Sequence, residues 1–153
     1  MTPRYGCAYG KERVQMSAPY QHGNQITLIS AISLQGIEAS LYGEWAANGE
    51  IFSTFIEKCL FSILRSEHCV VMDNVNFHKS ELVRELIEKT GAKIIFLPPY
   101  SPELNPIEEM WSKIKTSLRK QSARRINRFK KAIKNAYESV TSSDLRGWFQ
   151  HAG

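Results

Sequence analysis

The stretch VVMDNVNFHKSELVRELIEKTGAKIIFLPPYSPELNPIEEMW, residues 70–111, decides how the fold is interpreted. It opens with a short apolar run that ends at Asp73, passes through an amphipathic segment at 80–91, and returns to an apolar run at 92–97. Short apolar runs predict buried strands, here covered on both faces, and apolar residues at helical spacing predict a helix. The order strand, helix, strand predicts a parallel βαβ unit.

The segments before this unit predict a hairpin and a helix. Residues 25–37 and 38–45 are rich in strand formers and are interrupted at Gly36, which is typical of two antiparallel strands. Residues 48–64 carry apolar side chains at helical spacing, with Asn48 as a candidate N-cap. Together with the βαβ unit, these elements predict an α/β fold in which helices flank a mixed sheet.

The C-terminal third, residues 105–149, is helical throughout by its pattern, and Ser142 or Ser143 is the expected cap of the last helix. A length of 153 residues suits one domain with a real core.

No apolar stretch approaches the roughly 20 residues that span a bilayer, and the first residues lack the apolar centre of a signal peptide. We therefore expect a cytoplasmic protein without a membrane partner. The three cysteines form no C-x-x-C pair, so Cys59 and Cys69 are predicted to be plain buried thiols.

Positive charge is concentrated between residues 113 and 134, which hold ten of the 20 basic residues and no acid. Such a distribution is typical of a surface that contacts phosphate backbones, although a solvated helix face is the simpler alternative. The predicted DNA-binding residues are Lys113, Lys115, Arg119, Lys120, Arg124, Arg125, Arg128, Lys130 and Lys131.

Two acids stand out from this pattern. Asp73 ends a predicted parallel strand, where open α/β sheets bind ligands, and Glu108 lies in the first turn of the next helix. Each has a structural alternative, because Asp73 can begin a turn and Glu108 can complete a capping box with Asn105. If the two carboxylates converge, they can hold Mg²⁺, and two such ions about 4 Å apart can promote phosphodiester hydrolysis.

The motifs D-N-x-x-x-H at Asp73 and P-P-Y-S-P-x-L-N-P-I-E-x-x-W around Glu108, with 34 residues between the two acids, resemble the DDE transposases of the insertion-sequence and mariner superfamily. The resemblance implies a ribonuclease-H-like fold and metal-dependent cleavage and strand transfer of transposon and target DNA. It also implies that Asp73 and Glu108 are the second and third catalytic acids and bind two Mg²⁺ or Mn²⁺ ions. Asn74 and His78 belong to the motif and are expected to support these acids.

The family's first catalytic aspartate ends the first strand of its sheet, shortly before the stretch that RYG matches here. The sequence starts at Met1, directly before that stretch, and Glu12 is the only acid before residue 38. We therefore expect residues 1–153 to form one DDE endonuclease domain that lacks its N-terminal part, including the first strand. Such a chain should cleave DNA poorly alone and depend on an upstream transposase fragment or a second copy.

Three other function classes fit part of the sequence. A non-catalytic DNA-binding or regulatory fragment of a transposase also fits the basic stretch and two acids. A methyltransferase is suggested by PPY, but Leu97 stands where its catalytic loop needs a polar residue. A phospho-acceptor receiver would use Asp73, but it explains neither N-P-I-E nor the basic stretch.

Overall fold

The computed structural model describes the backbone of residues 6–9, 26–120 and 126–153, and the side chains of 26–120 and 129–153. One antiparallel sheet has the order β1–β3–β2, formed by Gly6–Tyr9, Gly36–Gly43 and Thr27–Ser33 respectively. A second sheet contains two parallel strands, β4 (Cys69–Met72) and β5 (Lys93–Phe96). The predicted hairpin and the parallel βαβ unit are both confirmed.

Five helices surround the sheets: α1 (Gly49–Phe55), α2 (Glu81–Glu88), α3 (Pro106–Lys120), α4 (Ile126–Glu138) and α5 (Ser142–Ala152). A π-helical turn, Ile56–Leu60, continues α1, and short 3₁₀ turns occupy Asn76–Lys79 and Pro102–Leu104. The helical C-terminal third is confirmed within the described residues. Across those ranges, no helix has the length and apolar character needed to cross a membrane.

Side-chain caps set the starts of three helices. The Asn48 carboxamide oxygen accepts from the Ile51 N–H at 2.9 Å, as the sequence predicts, and Ser80 caps α2. The prediction for the last helix is wrong, because Thr141 rather than either following serine is its cap. Thr141 forms a reciprocal capping box with Asp144, which requires an acid three residues after the cap.

The β2–β3 hairpin is packed on both faces. Leu41 and Ala39 join α1 and the π-turn in one buried core, which continues to α2 and β4. Ile32 and Ile37 pack instead against the buried side chains of α3 and α4. Alternation along β2 gives each face its own helical layer, and the register shift between Ala31 and Ile32 pairs Ile37 with Ile32 on the face towards α3 and α4.

A buried hydroxyl network ties the hairpin to α4. The Tyr137 hydroxyl lies 2.8 Å from the Ser30 hydroxyl, which lies 3.0 Å from that of Ser40. Burial raises the pKa of the Tyr137 phenol, and the bonds to the serines act in the opposite direction. The neutral phenol thus holds the outer helical layer against β2.

The predictions about the burial of β4 and about the two cysteines need correction. The strand is not covered on both faces, since Val71 is 46% exposed and Cys69 is exposed, whereas Met72 is buried. The α1–α2 core covers one face, and no described helix covers the other to the same extent. Both cysteine predictions are wrong in part: Cys69 is a free thiol but is exposed, because it lies on the uncovered face of β4, and Cys59 is buried but disulfide-bonded.

Candidate metal and nucleic-acid site

The two predicted acids reach the same end of the β4–β5 sheet by different routes. Asp73 directly follows β4, and Met72 pairs with Phe96, so both strands end at one edge. The chain then leaves β5 through two prolines and turns at Tyr100, whose φ of +57° is unusual for a side-chain-bearing residue. This turn redirects the backbone towards the start of α3, where Glu108 occupies the first turn.

Asp73 and Glu108 line one cavity of about 790 Å³, together with His78 and Asn105. The cavity lies between β2, β4, α1 and α3 and extends to the sheet edge at which Asp73 stands. The structure therefore brings the two acids and the motif histidine to a common space, although they are far apart in the sequence.

Glu108 is not used as a helix cap. Its N–H donates to the backbone carbonyl of Asn105 at 3.0 Å, and the Asn105 N–H donates to the carbonyl of Pro102 at 3.0 Å. Both backbone donors of the expected capping box are thus bonded elsewhere. Within the part of the chain that the structure describes, the exposed Glu108 carboxylate makes no hydrogen bond or ion pair, so its oxygens are available to a ligand.

Asp73 is held from its own loop. The Val75 N–H donates to Asp73 Oδ1 at 3.4 Å, and His78 Nδ1 lies 2.5 Å from the same oxygen. The histidine approach has ion-pair distance but lacks hydrogen-bond geometry, so the buried Nδ1 atom has no hydrogen-bonding partner in the described residues.

The His78 ring is fixed by aromatic neighbours that the sequence did not indicate. Its centroid lies 4.1 Å from that of Phe52 and 4.6 Å from that of Phe77. Phe52 belongs to the apolar stripe of α1 and is buried, and the sequence pattern indicates only a core position for it. The motif histidine is therefore anchored in the core and contacts Asp73 from that side. Asn74 makes no hydrogen bond within the described residues.

The donor set at this edge fits a hard cation but is small. Asp73 and Glu108 offer carboxylate oxygens, which Mg²⁺ and Mn²⁺ prefer over nitrogen or sulfur. In the described ranges, no group of three or more histidine, cysteine or acidic residues is close enough to hold a metal ion. Glu38 also lines the cavity, where its carboxylate accepts from the Ser33 hydroxyl, so Asp73 and Glu108 are the motif acids that the described residues offer to a cation.

The basic residues of α3 separate into two groups. Lys115 and Arg119 are exposed and follow Glu108 at intervals of seven and eleven residues, which places all three on one face of the helix. Lys120 is also exposed. Lys113 lies elsewhere on the helix and forms an ion pair with Asp144 of α5 at 2.5 Å. The two residues are 31 positions apart, so the sequence pattern does not predict this pair.

The remaining predicted DNA contacts lie around the start of α4. Arg124 and Arg125 are outside the described residues, and only the backbone of Arg128 is described. Lys131 is exposed, whereas Lys130 is partly buried and already interacts with another group. The charge available for a nucleic acid near the cavity is therefore best defined on α3.

Comparison with known proteins identifies the fold and the family. A search of solved structures finds the crystal structure of the Mos1 strand transfer complex, with a TM-score of 0.69 and 15% identity. The match covers 97% of this chain and 50% of that chain, so the sequence spans half the length of its structural neighbour. The likeness confirms the ribonuclease-H-like fold. A search of curated proteins finds no match. The family model for DDE superfamily endonucleases matches residues 1–130, and the chain belongs to that family.

Proposed function

We propose that this chain serves metal-dependent cleavage and strand transfer of DNA in transposition. The observation that carries the proposal is the shared cavity of Asp73 and Glu108 at the carboxyl edge of β4 and β5. Membership of the DDE endonucleases supplies the reaction class. The structural neighbour is a strand transfer complex, which supports DNA as the substrate. We place this activity in the cytoplasm, at the nucleoid, as expected for the transposase of a bacterial-type insertion sequence.

Each acid has a definable task in this proposal. Asp73 and Glu108 supply the oxygens that bind Mg²⁺ or Mn²⁺, and His78 fixes the orientation of the Asp73 carboxylate from the core side. When bound, two divalent ions activate a water and stabilise the leaving oxygen of a phosphodiester. Glu108 can bind a metal ion without breaking a hydrogen bond or ion pair in the described structure. The free-energy cost of binding is then limited to desolvation of an exposed carboxylate.

DNA would follow the exposed face of α3. Lys115 and Arg119 lie roughly 10 and 16 Å from Glu108 along the helix axis, because an α-helix rises 1.5 Å per residue. They can therefore hold backbone phosphates while another phosphate lies at the acids. Lys113 contributes less, since Asp144 already neutralises it.

We further propose that the chain alone cleaves DNA slowly or not at all. The support is that no cluster of three metal-binding residues occurs in the described residues. Glu38 also lines the cavity, but its carboxylate accepts from the Ser33 hydroxyl, which leaves Asp73 and Glu108 as the two motif acids there. Misplacing or losing one metal ligand weakens cation binding and misaligns the attacking water. A complementing partner, either an upstream transposase fragment or a second copy, would complete the site.

A nicking assay tests this proposal. Purified chain is incubated with supercoiled plasmid and Mn²⁺, and nicked product is measured beside the Asp73→Ala variant. Little nicking by either protein is expected. Robust nicking by the natural chain that Asp73→Ala abolishes would contradict the low-activity proposal while supporting the assigned acid. Equal, robust nicking by both would remove Asp73 from the reaction.

A DNA-binding or regulatory module is the second candidate, favoured by the absence of a group of three metal-binding residues from the described residues. DNA affinity measured across salt concentrations, with and without Mg²⁺, separates the two functions. Binding through phosphates alone should fall steeply with salt and be unaffected by the metal. A metal-dependent increase in affinity that requires Glu108 would favour the endonuclease.

A further inference from the structure

Three aromatic rings are packed together beside the Asp73 carboxylate. Phe52 belongs to α1, whereas Phe77 and His78 belong to the 3₁₀ turn that follows Asp73. The centroid of the His78 ring lies 4.1 Å from that of Phe52 and 4.6 Å from that of Phe77, and the two phenylalanine centroids are 5.8 Å apart. Phe52 is tilted by 37° from the imidazole plane, and Phe77 meets the imidazole edge-on at 83°. Each ring therefore contacts both of the others.

These contacts set the orientation of the His78 ring. The side chain is 17% exposed, and its buried Nδ1 atom has no hydrogen-bonding partner in the part of the chain that the structure describes. An imidazole that no bond at this atom orients depends on close packing for a fixed position. Phe52 and Phe77 supply that packing, so loss of either ring would let the imidazole turn.

The Asp73 carboxylate depends in turn on His78. Asp73 Oδ1 lies 2.5 Å from His78 Nδ1, whereas the Val75 N–H reaches the same oxygen at 3.4 Å. The Asp73 side chain is 43% exposed, so packing restrains it less than it restrains the histidine. The closer of these two contacts is therefore the one that the aromatic rings control.

The start of α1 is held against the same 3₁₀ turn. Asn48 caps the helix, and a Cβ atom added at Gly49 would lie 3.5 Å from the Cβ of Phe77. Phe52 follows Gly49 by three residues and therefore lies on the same face of the helix. A capped helix thus presents Phe52 to the turn from a fixed position.

We infer that Phe52 is a positioning residue for the metal site: by packing on His78 it fixes the orientation of the Asp73 carboxylate. Its side chain has no atom that can bind a cation, so it acts through the histidine. Residues that orient a metal ligand in this way affect affinity nearly as strongly as some ligands do. The inference rests on the proposed function, because it concerns the carboxylate that would bind Mg²⁺ or Mn²⁺.

A core role is the simpler explanation of Phe52, and Phe55 provides the matched control. Both phenylalanines belong to α1 and to the same buried core, with exposed fractions of 7% and 2%. Phe55 makes a ring contact with Phe52 at 6.3 Å, but none with His78 among the described residues. Replacing each by leucine therefore removes a similar amount of core packing, whereas only one replacement removes the contact with the histidine.

Carboxyl NMR tests the inference without a metal ion. The sequence contains two aspartates, Asp73 and Asp144, so labelling aspartate side-chain carboxyls with ¹³C gives two signals, which Asp144→Asn assigns. Phe52→Leu should move the Asp73 signal and leave the Asp144 signal in place, whereas Phe55→Leu should move neither. Phe52→Tyr keeps the ring and should restore the natural spectrum. An unmoved Asp73 signal in Phe52→Leu, or an equal shift in Phe55→Leu, would overturn the inference.

Folding is checked on the same samples. Circular dichroism and urea denaturation report the stability of each variant, and Phe55→Leu should be destabilised at least as much as Phe52→Leu because it is the more buried residue. If Phe52→Leu does not fold, Phe52→Met takes its place, since methionine fills more of the vacated volume.

Mn²⁺ titration measures the consequence for the site. Phe52→Leu should weaken Mn²⁺ binding about tenfold, and Phe55→Leu by less than about twofold. In a His78→Ala background, Phe52→Leu should have no further effect, because the two residues act in series. Additive effects would overturn the inference.

The proposed function can fail separately from this inference. If the natural chain binds no Mn²⁺, the metal-dependent function is contradicted, and the carboxyl signals alone decide whether Phe52 positions Asp73. If Mn²⁺ binding requires Asp73 but not Phe52, the function stands and the inference is wrong.

Discussion

The first turns of α3 and α5 contain acids at comparable positions but with opposite fates. The Asp144 carboxylate accepts from Lys113 and from the Thr141 N–H, and these bonds hold the pKa of its carboxyl below the usual value. The Asp144 N–H donates in return to the Thr141 hydroxyl oxygen. Glu108 also follows a cap candidate by three residues, yet its carboxylate has no partner in the described structure. Only Glu108 faces the cavity shared with Asp73. An acid that local structure does not need is the better candidate for chemistry.

The largest expected difference between the two acids is in metal affinity. Glu108→Gln and Asp73→Asn should each weaken Mn²⁺ binding by roughly 100-fold or more, since even supporting residues of metal sites cost about 10- to 100-fold. Asp144→Asn serves as the control and should leave the affinity unchanged. Electron paramagnetic resonance of free Mn²⁺ during titration measures all three. If Glu108→Gln binds Mn²⁺ as well as the natural chain does, Glu108 is not a metal ligand and does not differ from Asp144 in this respect.

Stability should show the reverse order. Asp144→Ala removes a capping box and an ion pair that links α3 to α5, and should lower the free energy of unfolding by about 1–2 kcal/mol. Glu108→Ala should change it by less than about 0.5 kcal/mol, as expected for an exposed residue without partners in the described structure. Urea denaturation at neutral pH measures both. A larger loss for Glu108→Ala would indicate that this side chain has a structural role.

The contribution of Asp144 should also depend on pH. Because its pKa is lower in the folded than in the unfolded state, its stabilisation is present above the usual value of 3.8 and is lost as pH falls through the lower folded value. The stability difference between the natural chain and Asp144→Asn should therefore be constant from pH 5 to 7 and shrink below about pH 4. Urea titrations at several pH values measure this difference. A difference that grows on acidification would contradict the prediction.

The smallest expected effect concerns DNA. Lys115→Ala and Arg119→Ala should each weaken DNA binding a few-fold and reduce the slope of log affinity against log salt by about one, because each removes one phosphate contact. Lys113→Ala is the matched control on the same helix, and its effect should appear in stability instead, since Asp144 loses its partner. Fluorescence anisotropy with duplex DNA measures the slopes. If Lys113→Ala weakens DNA binding as much as Lys115→Ala does, Lys113 also belongs to the DNA-binding face of α3.

Much of the scaffold could be predicted because its signals are local. The caps Asn48 and Ser80, the hairpin and the βαβ unit each depend on residues close together in sequence. Thr141 was missed although its signal was present: counting three residues back from Asp144 identifies the cap among three adjacent hydroxyl residues.

The remainder depended on distant contacts. Four successive apolar residues in β4 predict burial on both sides, but whether a second layer covers Val71 is decided by helices elsewhere in the chain. The packing of Phe52 on His78 and the pairing of Lys113 with Asp144 are likewise invisible to periodicity. That Asp73 and Glu108 line one cavity was predictable from topology, because β4 and β5 end at one edge and α3 follows β5. The bonding of each carboxylate depends on side-chain contacts that topology does not specify.

The hydroxyl network of Tyr137 gives the molecule a mechanical link. Ser30 stands in the middle of β2, the strand that borders the cavity, and Tyr137 belongs to the helix that carries Lys130 and Lys131. Any shift of β2 must therefore either break this bond or drag α4 with it. A displacement of β2 can in this way be transmitted to the basic helix α4 through the Ser30–Tyr137 hydrogen bond, without involving Asp73 or Glu108.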